Sequence, residues 1–288
     1  MRDHLSIRRL TEADLDVAAD ILAAAYDNPA SSRSASLRRY LSMQPDGWLL
    51  ATLDGRAVGI GGTVNYGPFA SIGSVGVRPE AQRRGVARAL MERLLAWLEA
   101  ADCQVVVLVA TDAGAPLYQA LGFVEDGATL VFRRTATLPP PEPPPMAPRV
   151  SPLRTDDLPA LVRFDAPIFG ASRPSVLAGY HADDPARAYI ARDEGGEVAG
   201  CLFAQAQTVG PWAARTPGDA EALLSRALAL PFDEVARAVV PSQNEEAARL
   251  LRRHDFEGPF MLRHMRRGGD ALPGVPAMLY GRASFAIG

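Results

Sequence analysis

The chain has 288 residues, 48% of them hydrophobic and 22% charged, with 30 basic against 33 acidic side chains. That length corresponds to two domains at roughly 100–200 residues each, and the apolar content excludes disorder as the main state. A formal charge of −3 offers no electrostatic footprint for DNA, RNA or an anionic membrane. Every basic residue is arginine. Two cysteines, Cys103 and Cys201, are too few for a disulfide scaffold or a cysteine-ligated zinc site and read as small buried hydrophobes. The opening stretch lacks an apolar core of signal-peptide length, and no run approaches the ~20 apolar residues of a membrane span. The expectation is a cytoplasmic protein.

The first half opens with a short strand around Ile7–Leu10. Thr11 then caps a helix whose buried stripe is Leu15, Ala18, Ile21 and Leu22. Trp48 to Leu53, Asp54-Gly55 and Arg56 to Val64 form a hairpin signal. Ser71 to Val77 reads as a strand broken by Gly73 and Gly76, and glycine there marks a bulge or a close approach. Arg78 to Ala87 is an arginine- and glycine-containing turn leading into a helix with Val86, Leu90, Leu94 and Leu98 on its apolar face. Gln104 to Ala110 is a continuous apolar run, expected of a strand buried on both faces. A short helix from about Pro116 follows, closed by Gly122.

Leu138 to Pro148, LPPPEPPPMAP, is a proline-rich spacer. Beyond it the pattern repeats: a strand and helix start at Val150–Leu158, a hairpin through Glu194-Gly195-Gly196, and Asp255-Phe256 echoing Gly122-Phe123. Three echoes in one order point to a duplicated domain, divided as residues 1–137, linker 138–148 and residues 149–288.

A strand feeding a glycine turn at a helix start is a natural anion site, because the first helical N–H groups lack internal partners. An arginine-rich solvated turn is the plain alternative. Gln82-Arg83-Arg84-Gly85-Val86-Ala87 matches Gln/Arg-x-x-Gly-x-Gly/Ala, and Leu117-Tyr118-Gln-Ala-Leu-Gly122-Phe123 matches Leu-Tyr-x-x-x-Gly-Phe, at the expected separation. In these motifs the chain resembles the GNAT superfamily of acyl-CoA N-acyltransferases, specifically over Ser71–Phe123. It is similar in layout to bacterial two-domain members with a divergent C-terminal half, which Phe169–Arg173 and Val209–Trp212 also resemble.

The resemblance implies an α/β (α+β) fold of two domains, each a mixed, mostly antiparallel sheet flanked by helices, with a V-shaped splay between two parallel strands. It implies acetyl-CoA as acyl donor without a metal, a small-molecule amine as acceptor, and direct transfer. An acyl-CoA-binding regulator and a protein-amine acetyltransferase are the alternatives, and a homodimer is compatible. It places the pyrophosphate on the amides of Arg83, Arg84, Gly85, Val86, Ala87 and Arg88, beside Gln82 and Leu117. Pantetheine would pair near Val75, Gly76 and Val77, and Tyr118 would act as general acid. Thr111-x-x-Gly114 departs from the family's Asn-x-x-Ala. Glu80, Asp112, Glu125 and Asp126 are acids among which nothing singles out a base. Arg173 and Asp165 are candidates for a substrate carboxylate and amine across the cleft, with a plain interdomain ion pair as the alternative reading. In the second half Arg215-Thr-Pro-Gly218-Asp-Ala220 fits the loop pattern, but Pro217 lacks an N–H and Asp219 would repel an anion. Leu251 stands at the tyrosine position. That half is expected to be a degenerate copy. The four histidines show no metal-ligand spacing.

Overall fold

The computed structural model describes residues 4–26, 33–135, 149–269 and 273–288. The proline spacer expected at 138–148 lies outside them. In the first half the chain runs β1 (Leu5–Arg9), α1 (Leu15–Tyr26), α2 (Arg33–Met43), β2 (Trp48–Leu53), β3 (Arg56–Asn65), β4 (Ala70–Val77), α3 (Val86–Ala100), β5 (Val106–Ala110), α4 (Ala115–Ala120) and β6 (Val124–Thr135). The second half runs β7 (Arg149–Pro152), α5 (Leu158–Phe169), α6 (Pro174–Asp183), β8 (Ala188–Arg192), β9 (Val198–Ala204), β10 (Thr208–Ala214), α7 (Pro217–Leu228), β11 (Val235–Pro241), α8 (Glu245–Arg253), β12 (Glu257–Arg267) and β13 (Leu279–Gly281).

Local chemistry accounts for the turns. Asp54 and Gly55 both have positive φ (49° and 80°), the combination that matches a two-residue hairpin to strand twist. Gly122 (φ 85°) and Gly170 (φ 94°) follow α4 and α5 in the left-handed region, where a Cβ is penalised.

The strands form one sheet in the order β1-β2-β3-β4-β5-β12-β6-β11-β10-β9-β8-β7, with β13 against β10. Most pairings are antiparallel, while β4–β5 and β10–β11 are parallel. The halves exchange strands: β12 pairs with β5 through Arg263–Arg267, and β6 pairs with β11 through Thr129–Thr135. The sequence division into two halves gives no hint of this exchange.

Helices cover both faces. α3 and α4 pack Leu90, Leu94, Leu98 and Tyr118 on Val106, Leu108 and Ala110, and α7 and α8 cover the corresponding face of the second half. On the other face α1, α2, α5 and α6 share one apolar cluster with the C-terminal residues Ala283, Ala286 and Ile287. β5 is buried on both faces as its composition predicts, since Val107 turns away from α3 toward Phe69 and Phe169. α2 escapes a periodicity reading because only Leu37 and Tyr40 of its eleven residues are buried.

Candidate active site

The site starts from the partial pairing of β4 and β5. Ala70, Ser71 and Ile72 pair with Val106, Val107 and Leu108, and Gly73–Val77 continue without a partner on β5. A bulge against β3 between Ile60 and Gly62 leaves Ser74 and Val75 opposite a single residue, with Ser74 at φ 52°. Bulges re-aim backbone groups, here toward the open side of the splay. The two glycines admit close neighbours, as their sequence context predicts. A Cβ at Gly73 would lie 2.2 Å from the Ala286 Cα, and one at Gly76 would lie 2.9 Å from Leu22 Cδ2.

After β4 the chain makes a single turn at Pro79–Ala81, and Gln82 Nε2 donates to the Val77 carbonyl at 3.1 Å. Arg83 (φ 59°) and Gly85 (φ 82°) are both left-handed, and α3 begins at Val86. Within the described residues, the backbone N–H groups of Arg83, Gly85, Val86, Ala87 and Arg88 donate to no other backbone or side-chain group. Gln82 to Gly85 are exposed, Val86 is buried, and a Cβ on Gly85 would meet nothing within 4 Å. A run of unpaired amides at the positive end of a fifteen-residue helix is complementary to a diphosphate. Val86 leaves its amide without a partner while its side chain is buried in the core below, and Arg88 faces Glu92 at 3.6 Å.

Tyr118 projects from α4 near the splay. Its ring lies edge-on to Phe123 at 6.1 Å, and a Cβ at Gly114 would come within 3.1 Å of its Cε2. The glycine in place of the family's alanine thus gives the ring room. Within the described residues the Tyr118 hydroxyl has no hydrogen-bond partner, and burial pushes its pKa well above the ordinary phenol value. It stays protonated at neutral pH, the state a proton donor requires. Leu117 packs beside it at the edge of the same core.

Tyr26, at the end of α1, escaped the sequence reading. Its hydroxyl donates to the Val75 carbonyl at 2.8 Å, so this carbonyl is already engaged. Three of the four acids considered as a base are engaged too. Asp112 and Glu125 both meet Arg263, and Asp126 meets Arg266 at 3.2 Å. His264 offers its Nδ1 to the Asp126 carbonyl at 3.2 Å, and burial with the nearby Arg282 charge lowers its pKa to about 4. Asp165 and Arg173 come together with each other, not across the cleft: both belong to the second half and share a bidentate pair of 2.7 and 2.9 Å. Neither the carboxylate–amine role expected for them nor an interdomain bridge matches that geometry.

The second half repeats the splay and then fills it. β10 and β11 pair only at Thr208–Arg237 and Val209–Ala238. Beyond that point β13 enters the gap, pairing Gly281 with Trp212 and Leu279 with Ala213. The Arg282 N–H donates to the Val239 carbonyl at 2.7 Å, and Asn244 Nδ2 donates to the Leu279 carbonyl at 2.9 Å. At the start of α7 the Thr216 hydroxyl caps the Asp219 N–H, and Asp219 is buried beside it. Leu251 is wholly buried.

Comparison with known families agrees with this geometry in both halves. Residues 15–123 match the acetyltransferase (GNAT) family and residues 161–281 match an acetyltransferase (GNAT) domain. The chain is a tandem GNAT acetyltransferase. No curated protein shows significant sequence similarity to it. Among solved structures, a Pyrococcus horikoshii protein assigned as an acetyltransferase is 26% identical, with a TM-score of 0.85 over 99% of this chain and 96% of that one. A GCN5-related N-acetyltransferase from Sphaerobacter thermophilus shares the fold at 19% identity and TM-score 0.70, covering 94% and 98%. A tandem GNAT protein from the clavulanic acid biosynthesis pathway does so at 16% and 0.64, covering 93% and 100%. The tandem GNAT chain is accordingly an N-acetyltransferase of the EC 2.3.1 class, using acetyl-CoA and an amine acceptor. No helix of the described residues is long and apolar enough to cross a membrane, and no group of acids, histidines and cysteines there has metal-site geometry.

Proposed function

We propose that the first half transfers an acetyl group from acetyl-CoA directly to the amine of a small molecule, and that the second half shapes the acceptor side in the cytoplasm. The observation that carries this reading is the contrast between the splays: the β4–β5 gap is open beside unpaired amides, while the β10–β11 gap is closed by β13.

When bound, acetyl-CoA supplies the activated acyl carbon. The amides of Arg83 to Arg88 hold its diphosphate, flanked by the charged Arg83 and Arg84 side chains. The edge of β4 between Gly73 and Val77 that has no partner on β5 holds the pantetheine arm as an added strand, and an N–H at Val75 or Gly76 polarises the thioester carbonyl. The acceptor nitrogen forms its bond to that carbon as the carbon–sulfur bond breaks, and Tyr118 delivers its hydroxyl proton to the departing sulfur. The amine's surplus proton leaves through water to restore the phenol. With Asp112, Glu125 and Asp126 engaged by arginines, water is the proton acceptor these surroundings favour.

The test is thiol release from acetyl-CoA across a panel of small amines, run beside a peptide array. Release with a small amine supports the reading. CoA binding without release from any acceptor identifies a regulator, and release only on peptides identifies a protein acetyltransferase.

A further inference from the structure

Tyr26 closes α1 and reaches the stretch of β4 that has no partner on β5. Its hydroxyl donates to the Val75 carbonyl at 2.8 Å, and Val75 lies beyond Ala70–Ile72, the residues of β4 that pair with β5. Gly76 makes the approach possible. A Cβ there would stand 2.9 Å from Leu22 Cδ2, 3.1 Å from Ala25 Cβ and 3.7 Å from Tyr26 Cε2, so the last turn of α1 rests directly on the strand. The Arg33 guanidinium stands 5.7 Å from the Tyr26 ring centroid, and Tyr26 is still 43% exposed. A ring so placed is open to a ligand while its polar tip is fixed beside the splay.

The hydrogen bond decides what the hydroxyl can still do. A carbonyl only accepts, so the phenol proton is committed to Val75 and the Tyr26 oxygen has only lone pairs to offer. Desolvation raises its pKa above the ordinary phenol value against the opposing Arg33 charge, so the proton stays in place at neutral pH. Among the described residues no group donates to that oxygen. The partner it suits is an N–H, and the acceptor amine carries one. Arg33 disfavours a second cation nearby, which selects the neutral amine, the form that attacks a thioester.

We infer that Tyr26 binds and orients the nucleophile: its oxygen accepts one N–H of the acceptor amine and turns the nitrogen lone pair toward the thioester carbon. This rests on the first half being the transferase. A primary amine has two N–H bonds. One stays on Tyr26, and the other gives its proton to water as the carbon–nitrogen bond forms and the carbon–sulfur bond breaks, with Tyr118 protonating the sulfur. A secondary amine has a single N–H and must surrender the docking bond to shed it. Tyr26 therefore sets the preference for a primary amine over its N-methyl counterpart, beyond what the bulk of the methyl group imposes.

The probes are n-butylamine, benzylamine, glycinamide and putrescine, each beside its N-methyl counterpart. They are measured by thiol release from acetyl-CoA and by calorimetric binding to the CoA-loaded chain. The variant is Tyr26→Phe, which removes the oxygen and keeps the ring against Gly76, so Tm should hold. For the best primary amine, kcat/KM should fall about 10–100-fold, from one lost hydrogen bond and a misaligned nucleophile, while KM for acetyl-CoA stays within about twofold. The preference for that amine over its N-methyl counterpart should shrink about fivefold or more, a change that loosened packing would not produce. Unchanged kcat/KM, an unchanged preference, or no probe amine binding to the unaltered chain would each overturn the docking role. A loss confined to KM for acetyl-CoA would overturn it too and put the hydroxyl on the pantetheine side. Weaker amine binding in Tyr26→Phe, with no thiol release from either chain, overturns the transferase reading and leaves the docking contact standing.

Discussion

Arg173 grips Asp165 through two parallel hydrogen bonds of 2.7 and 2.9 Å, and both side chains are only 1% exposed. The guanidinium also lies 3.8 Å from the Phe169 ring centroid. The pair ties the end of α5 to the start of α6 inside the apolar cluster that both halves share.

A buried ion pair is costly to make and costlier to break. Asp165→Ala should destabilise the chain by about 3–5 kcal/mol, because it strands Arg173 near the already unpaired Arg282. Replacing both partners, Asp165→Leu with Arg173→Met, should recover most of that loss. Urea unfolding of Asp165→Ala, Asp165→Leu, Arg173→Met and the double variant checks this; a double variant as unstable as the sum of its two singles would contradict it.

Gly85→Glu should reduce CoA affinity more than 100-fold while the chain stays folded. Nothing lies within 4 Å of a Cβ there, so the cost is the left-handed backbone at φ 82°, about 1–2 kcal/mol. The added carboxylate sits among the amides that would hold the diphosphate. Gly85→Ala pays the same backbone cost without the charge, and calorimetry should find its CoA affinity far less affected.

Tyr118→Phe removes one oxygen and leaves the ring against Phe123. Turnover should fall about 10²–10⁴-fold with acetyl-CoA affinity nearly unchanged. Steady-state kinetics with the best acceptor, paired with a binding titration, separates the two effects. A loss under threefold would make Tyr118 a packing residue.

One CoA should bind per chain. The second splay is occupied by β13, and its helix start presents a capped Asp219 in place of free amides. Calorimetric titration should give a stoichiometry near one. A second event that survives Gly85→Glu would require β13 to leave its gap.

What could be read in advance was local. The hairpin at Asp54-Gly55, the turn into α3, the doubly buried β5 and the glycine after α4 all depend on neighbours within a few residues, so composition and spacing betray them. β12 reads Glu-Gly-Pro-Phe-Met-Leu-Arg-His-Met-Arg-Arg, with no clean alternation, because its two neighbours β5 and β6 come from the other half. The three residues of β13 carry no strand signal at all and are extended only because a gap awaits them. Asp165 and Arg173 stood out in the sequence as charges facing a substrate or bridging the domains, and their pairing with each other was not legible. The turn at Gly170 folds them onto each other, and a linear reading has no access to that bend.

The strand exchange also dictates an order of events during synthesis. β5 ends at Ala110, yet the neighbour that completes its hydrogen bonding runs to Arg267. The first half therefore cannot finish its sheet when it leaves the ribosome, and β5 and β6 wait with open edges while some 130 further residues are made. Non-local pairing of this kind folds slowly and exposes unpaired strand edges in the interval. The hydrogen bonding of β5 and β6 is therefore complete only once the second half has been made and has folded against the first.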